Sequence, residues 1–293
     1  MKKQFTAAIA GMMLVTLAGC TDASAKLKDA DTVLFTVGNT TVTKGTVYSM
    51  MKSSDTAGVI TTSASHYIAD QEIEVTDEMR TSAEETLASY KEIYGDSFTS
   101  YLESSGMTEE DYINEYLLAY EKEDKLTEKY IEENYDKLIE EYKPLKATIL
   151  TFKSEDDANA ALSELKDGKA DASEAAKNHN SDSTGSSSIY TLESTELDAM
   201  VRTVLFSLGA DDGWQNIISS DGSEFYLVHA DETDTETLHD DIVSYFSSNS
   251  DFAKKIKTFY LNKYNFRLYD IDAYNAVKES YPEYVVQDGT ASE

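Results

Sequence analysis

From Thr108 to about Glu141 neither proline nor glycine interrupts the chain, and Pro144 closes the run. Proline has no amide proton and its ring clashes with the preceding turn, so a helix stops before it. Within the run Tyr112, Tyr116, Leu117 and Tyr120 recur at helical spacing, and Tyr130, Ile131, Tyr135 and Leu138 continue the stripe. Such a stripe predicts one long helix, or two with a bend. The start is marked too. Thr108 can cap, and Glu109, Glu110 and Asp111 then face the positive end of the helix. Thr76, ahead of Asp77 and Glu78, marks an earlier helix in the same way.

Beyond Pro144 the pattern changes. Leu145 to Phe152 reads as a strand, and a helix follows with Ala158, Ala161, Leu162 and Leu165 on one face, up to Gly168. A short helix spans Ala172 to Asn178. The serine-rich stretch Ser181 to Ser188 reads as a loop. Ile189 to Leu192 is then expected as a strand, Glu196 to Leu208 as a helix, and Trp214 to Ser219 and Glu224 to Ala230 as strands. Thr237 to Tyr264 returns to helical patterning, Phe266 to Tyr269 reads as a strand, and Asp272 to Tyr281 as a last helix. At the other end Val33 to Val37 predicts a strand, Gly38-Asn39 a turn, Thr41 to Thr43 more extended chain and Lys44 to Lys52 a helix. Residues 53–72 carry no clear signal. The expected class is α+β: a composite, mostly helical domain from residues 33–143 plus 237–293, with a small α+β domain at 144–236 inserted in it.

The N-terminus looks like a bacterial lipoprotein signal. Lys2 and Lys3 precede an apolar run from Phe5 to Ala18, and Leu17-Ala18-Gly19-Cys20 closes it. The run is short for a bilayer span and ends on small residues before a cysteine. Residues 1–19 are then a signal peptide, Cys20 the lipidated mature terminus, and residues 20–32 a tether. Cys20 is the only cysteine, so no disulfide competes for it. The net charge of −30 argues against nucleic acid as a partner and against adhesion of the protein surface to anionic lipid. Anchoring to a bilayer therefore falls to the lipid on Cys20, at about 0.8 kcal/mol per buried methylene. The protein is expected on the extracytoplasmic face of the membrane.

The segment from Lys146 to about Asp231 resembles a parvulin-type prolyl isomerase domain, and the chain as a whole resembles a foldase lipoprotein family. Lys146-Ala147-Thr148-Ile149-Leu150 stands where parvulins open with Lys-Ala-Ser-His-Ile-Leu. Val204-Leu205-Phe206-Ser207-Leu208-Gly209 is similar to the Ala-Ala-Phe-Ser-Leu helix end before a glycine. Outside the unit, Tyr94-Gly95-Asp96-Ser97-Phe98, Gly106-Met107-Thr108-Glu109-Glu110 and Asn265 to Asp272 resemble the flanking regions.

The resemblance implies a substrate pocket, and its residues depart from the pattern. The two parvulin histidines fall on Ile149 and Tyr226. The pocket methionine and phenylalanine fall on Leu197 and Val201, with Phe206 beside them, and the cysteine or aspartate near the substrate falls on Asp182. The Gly-Gly-Asp-Leu-Gly-Trp-Phe loop is reduced to Gly185 to Tyr190. Turning an X-Pro bond means breaking amide resonance, against a barrier of about 18–20 kcal/mol. An isomerase needs an apolar seat for the ring and polar groups matched to the twisted amide. Leu197, Val201 and Phe206 supply the first; Ile149 and Tyr226 do not supply the second. Weak or absent catalysis is expected.

His66, His179, His229 and His239 show no zinc spacing, and the acids between Asp231 and Asp241 lack the order of a calcium loop. No metal and no cofactor is expected. Tyr112, Tyr116, Tyr120, Tyr130 and Tyr135 either pack a helix bundle or line a cradle for unfolded segments. The resemblance implies unfolded or newly exported proteins as partners, the lipid bilayer through Cys20, and allows a homodimer. Two other functions stand beside a membrane-tethered foldase or holdase. One is an active prolyl isomerase; the other is a solute-binding lipoprotein, which 13 glycines, 2 prolines and long helices speak against.

Overall fold

The computed structural model describes residues 27–37, 40–52, 55–285 and 287. The signal peptide, Cys20 and the Gly38-Asn39 turn lie outside them. The described chain divides into two compact units, one built from the residues up to Ile68 and from Lys257 onward, the other from Ala69–Ile256.

In the first unit strands β1 (Val33–Val37) and β2 (Thr40–Thr43) pair antiparallel. Helix Lys44–Lys52 follows, and the segment without a clear sequence signal forms helix Thr56–Glu72, which runs on past Ile68. Helix Ile271–Ser280 is capped by Asp270, whose carboxylate accepts from the amides of Asp272 and Ala273, both at 3.0 Å. The strand expected at Phe266 to Tyr269 is absent. The amide and carbonyl of Leu268 bond instead to the Gln287 side chain, at 2.7 and 2.8 Å, so a side-chain amide supplies what a neighbouring strand would have.

In the second unit helix Asp77–Tyr94 is capped by Thr76, whose hydroxyl accepts from Met79 N at 3.2 Å. It gives way at Gly95 to helix Asp96–Ser105, which ends on Gly106 in the left-handed conformation. Thr108 and Asp111 cap each other: Thr108 Oγ1 accepts from Asp111 N at 3.1 Å, and Asp111 Oδ2 from Thr108 N at 2.9 Å. The run that follows is less regular than its pattern predicts. After Glu109–Tyr112 the turn Ile113–Leu117 is widened, with the Leu118 amide reaching back five residues to Ile113 O. Helix Leu118–Glu133 then breaks at Asn134, and Tyr135–Tyr142 completes the run.

The widened turn has a packing cause. It holds more residues per turn than an α-helix, which swings Leu118 toward the side of Ile113 and Leu117. All three are buried against Met79, Ala83, Leu87, Phe98 and Leu102.

A four-stranded antiparallel sheet carries the rest, in the order β4 (Ser187–Tyr190), β3 (Leu145–Phe152), β6 (Phe225–Glu232), β5 (Gln215–Ile218). Alternation sorts its residues onto two faces. Leu150, Phe152 and Leu227 pack with Ala158, Ala161, Ala175 and Ala176 of helices Glu155–Lys166 and Ala172–Asn178. Ala147, Ile149 and Val228 face helix Ala199–Leu205. The edge strand β4 starts two residues earlier than the sequence predicts. Ser187 and Ser188 pair with Thr148 and Ala147, while the Leu192 amide donates to Tyr142 O at 2.9 Å instead of joining the sheet.

The turn between β5 and β6 is built around Asp221. Its Oδ1 accepts from Ser219 Oγ at 2.8 Å, Ser223 N at 3.0 Å and Ser223 Oγ at 2.7 Å. These bonds, those from Ser223 foremost, lower its pKa from 3.8 to about 2. A carboxyl with a lowered folded-state pKa favours the folded turn above its unfolded value and loses that contribution as pH falls through the folded one. The turn is therefore expected to loosen between pH 3.8 and about 2. Following the Asp221 carboxyl carbon by NMR through an acid titration checks this, and a midpoint near 3.8 would contradict the assignment.

Candidate functional site

Five of the six residues aligned with a parvulin pocket come together. Ile149, Leu197, Val201, Phe206 and Tyr226 share one apolar cluster with Leu205, Ile217 and Val228. The sheet register brings close the two positions that the resemblance matches to parvulin histidines: Ile149 opposes Val228, and Thr151 opposes Tyr226. Ile149 and Tyr226 are thus diagonal neighbours on one face, within reach of an aromatic side chain.

Helix Ala199–Leu205 lies over them, started by Asp198. The Asp198 carboxylate accepts from Met200 N at 2.8 Å and also from Ser220 N at 3.1 Å and Ser220 Oγ at 3.0 Å. One side chain therefore fixes both the helix start and the β5–β6 turn. Val201 is 0% and Ile149 9% exposed.

Asp182 stands apart from this cluster. Its amide donates to Thr151 O at 2.8 Å, and its carboxylate lies 3.6 Å from Lys153 Nζ. Lys153 also bonds to Glu224, and Glu224 accepts from the Tyr226 hydroxyl. Tyr226, Glu224, Lys153 and Asp182 so form a hydrogen-bonded and charged chain along one end of the sheet. Burial, and then the Glu224 carboxylate, push the Tyr226 phenol far above its ordinary pKa, while Lys153 and then Tyr226 hold Glu224 below its own. Sequence reasoning missed Lys153 and Glu224. Their signal is local: each flanks a strand end, and Glu224 precedes Tyr226 by two residues, the spacing that puts strand side chains on one face.

The shortened loop keeps one glycine for a physical reason. Gly185 has φ +77, and a Cβ there would lie 2.6 Å from the Ala172 backbone.

The other candidate groups are engaged elsewhere. His229 Nδ1 lies 2.7 Å from Asp231 Oδ1, and Asp231 Oδ2 accepts from Thr148 at 2.7 Å and from Ser187, tying β6, β3 and β4 together. His239 lies 3.2 Å from Asp240 and 3.1 Å from Glu132; these carboxylates, Asp240 first, raise its pKa. The tyrosines divide between the two readings. Tyr135 donates to Thr235 O at 2.6 Å, and Tyr112 and Tyr130 are half-buried, whereas Tyr116 and Tyr120 are exposed.

Chemically, the cluster is apolar; of its two tyrosines, Tyr190 and Tyr226, the Tyr226 hydroxyl is committed to Glu224. It holds no imidazole pair.

Residues 126–239 match the PPIC-type PPIASE domain family. The foldase protein PrsA of Streptococcus mutans is 29% identical over 225 residues, which is 73% of this chain and 64% of that protein. The foldase protein PrsA of Streptococcus pneumoniae is 25% identical over 287 residues, 89% of this chain and 83% of that one. Among solved structures, the S. pneumoniae foldase protein PrsA covers 86% of this chain and 100% of its own, at 22% identity and a TM-score of 0.41. The Bacillus cereus peptidylprolyl isomerase PrsA covers 86% and 99%, at 18% identity and a TM-score of 0.47. The chain thus carries a PPIC-type domain at residues 126–239 and is similar to PrsA foldases, the parvulin-like, foldase-like reading its own residues suggested.

Proposed function

We propose that the protein is an extracytoplasmic foldase and holdase, tethered through a lipid on Cys20, that binds exported chains before they fold. The helical segments 33–143 and 237–293 do the binding. The parvulin-like domain at 144–236 is a second contact surface with little or no isomerase activity. The observation that carries this reading is the pair Ile149 and Tyr226. They sit diagonally on one sheet face, at the positions the resemblance matches to two parvulin histidines; Ile149 is packed in an apolar cluster, and the Tyr226 hydroxyl is bonded to Glu224. Such a cluster is packed as core, and it has no polar pair to stabilise a twisted amide.

Refolding of a client limited by a slow X-Pro bond tests the proposal. Left to itself such a phase takes about 10–100 s. With residues 21–293 added from substoichiometric amounts to excess, the yield is expected to rise only near equimolar levels, with the slow rate unchanged. Acceleration at substoichiometric levels would make the protein an active isomerase, the second reading, which the PPIC-type family match favours.

A further inference from the structure

Six aromatic rings on neighbouring helices of the second unit touch in a continuous ladder. Phe98 and Tyr112 form its base, edge to face at 5.2 Å. Tyr116 stacks on Tyr112 at 5.3 Å, and Tyr101 meets Tyr112 edge-on at 6.3 Å. Tyr90 links Phe98, at 6.2 Å, to Tyr94, at 6.1 Å. Scattered exposed aromatics are ordinary on any surface. These are contiguous, and Tyr94, Tyr101 and Tyr116 remain 58%, 45% and 39% exposed. A connected apolar patch of this kind marks a binding surface.

The charges around the ladder say what it takes. Residues 77–133 hold 17 aspartates and glutamates against five lysines and arginines. All five cations are spent within the chain: Arg80 on Glu110, Lys91 on Glu109, Lys122 on Asp70, Lys125 on Glu128 and Lys129 on Glu72. Among the described residues no lysine or arginine pairs with Glu92, Asp96, Glu103 or Glu115, each within two residues of an exposed ladder tyrosine. With 17 acids against five cations that are all paired within the chain, these helices carry a negative field that acts on anything resting on the rings.

We infer that the ladder binds extended, unfolded segments in which lysine or arginine alternates with apolar side chains. This rests on the foldase reading and narrows its clients. Apolar side chains of the segment cover the rings. Its cations meet the unpaired carboxylates and the open ring faces, to which ammonium and guanidinium groups are attracted. Acidic segments are repelled.

The test uses the full chain in detergent and short dye-labelled peptides that alternate leucine with lysine or leucine with glutamate, read by fluorescence anisotropy. The lysine peptide is expected to bind at least about ten-fold more tightly, and to lose that advantage at molar salt, where the screening length is about 3 Å. The combined variant Tyr94→Ser, Tyr101→Ser, Tyr116→Ser is expected to weaken binding about ten-fold while keeping the native circular dichroism. The combined variant Tyr94→Phe, Tyr101→Phe, Tyr116→Phe, which keeps the rings, is expected to bind as the parent does. Equal affinity for both peptides, or an unweakened serine variant, would overturn the inference and leave the foldase reading standing if the chain still protects a denatured client from aggregation. Failure to protect any client would overturn the foldase reading, and this one with it.

Discussion

Replacing Val201 by aspartate is expected to destabilise the sheet-bearing unit by about 4 kcal/mol or more. Val201 is 0% exposed and packs with Ile149, Leu205 and Val228. A carboxylate there loses its water and gains no cation. Its place in the first turn of helix Ala199–Leu205 is favourable, but a helix N-terminus returns at most about 1–2 kcal/mol, too little to offset the burial. Val201→Ala, which only opens a cavity, is expected to cost roughly 2 kcal/mol. Trp214 is the one tryptophan in the chain and its ring lies 5.2 Å from His229 of β6, so its fluorescence in a urea titration reports on this sheet. The result also bears on function. If position 201 lined an open pocket, as in an isomerase ready for a proline ring, the aspartate would be solvated and the midpoint would scarcely move. That outcome would favour the active enzyme.

Phe246→Ala is expected to cost about 3–5 kcal/mol. Phe246 is 1% exposed, and its ring lies 4.5 Å from Phe252, 5.2 Å from Tyr142 and 5.4 Å from Tyr245. Each such pair adds about 0.5–1.5 kcal/mol beyond the buried area. Lys255 closes the group, with Nζ 5.0 Å from the Tyr142 ring centre and 2.8 Å from its hydroxyl. Urea unfolding followed by far-ultraviolet circular dichroism measures the loss. The exposed Tyr101 makes the contrast: Tyr101→Ser is expected to stay within about 0.5 kcal/mol. A comparably small change for Phe246→Ala would mean that these rings do not form a core.

Much of the fold was legible because its signals are local. Thr76 and Thr108 announced helix starts, and both cap as their sequence context implies. Leu145 to Phe152 was readable as a strand from its apolar run before a helix. The misreadings share a cause, since each depended on a partner distant in sequence. The serines of β4 look like loop residues and become strand only because β3 offers an unpaired edge. Phe266 to Tyr269 has strand composition, yet no strand pairs with it and Gln287 takes the Leu268 backbone. The widened turn at Ile113–Leu117 answers the core beneath it. At the candidate site the resemblance found the residues that converge, but the chain from Tyr226 through Glu224 and Lys153 to Asp182 required the strand register.

The two edge strands of the sheet, β4 and β5, are each four residues long. Unpaired strand edges are templates onto which another chain can add itself as an extra strand. A protein that meets unfolded polypeptides continually is more exposed to that hazard than most. Edge strands this short offer a visiting chain few backbone hydrogen bonds, so on the proposed foldase function contact with clients is left to side chains on the helices. Grip of that kind can be let go, and a folding helper must release what it holds.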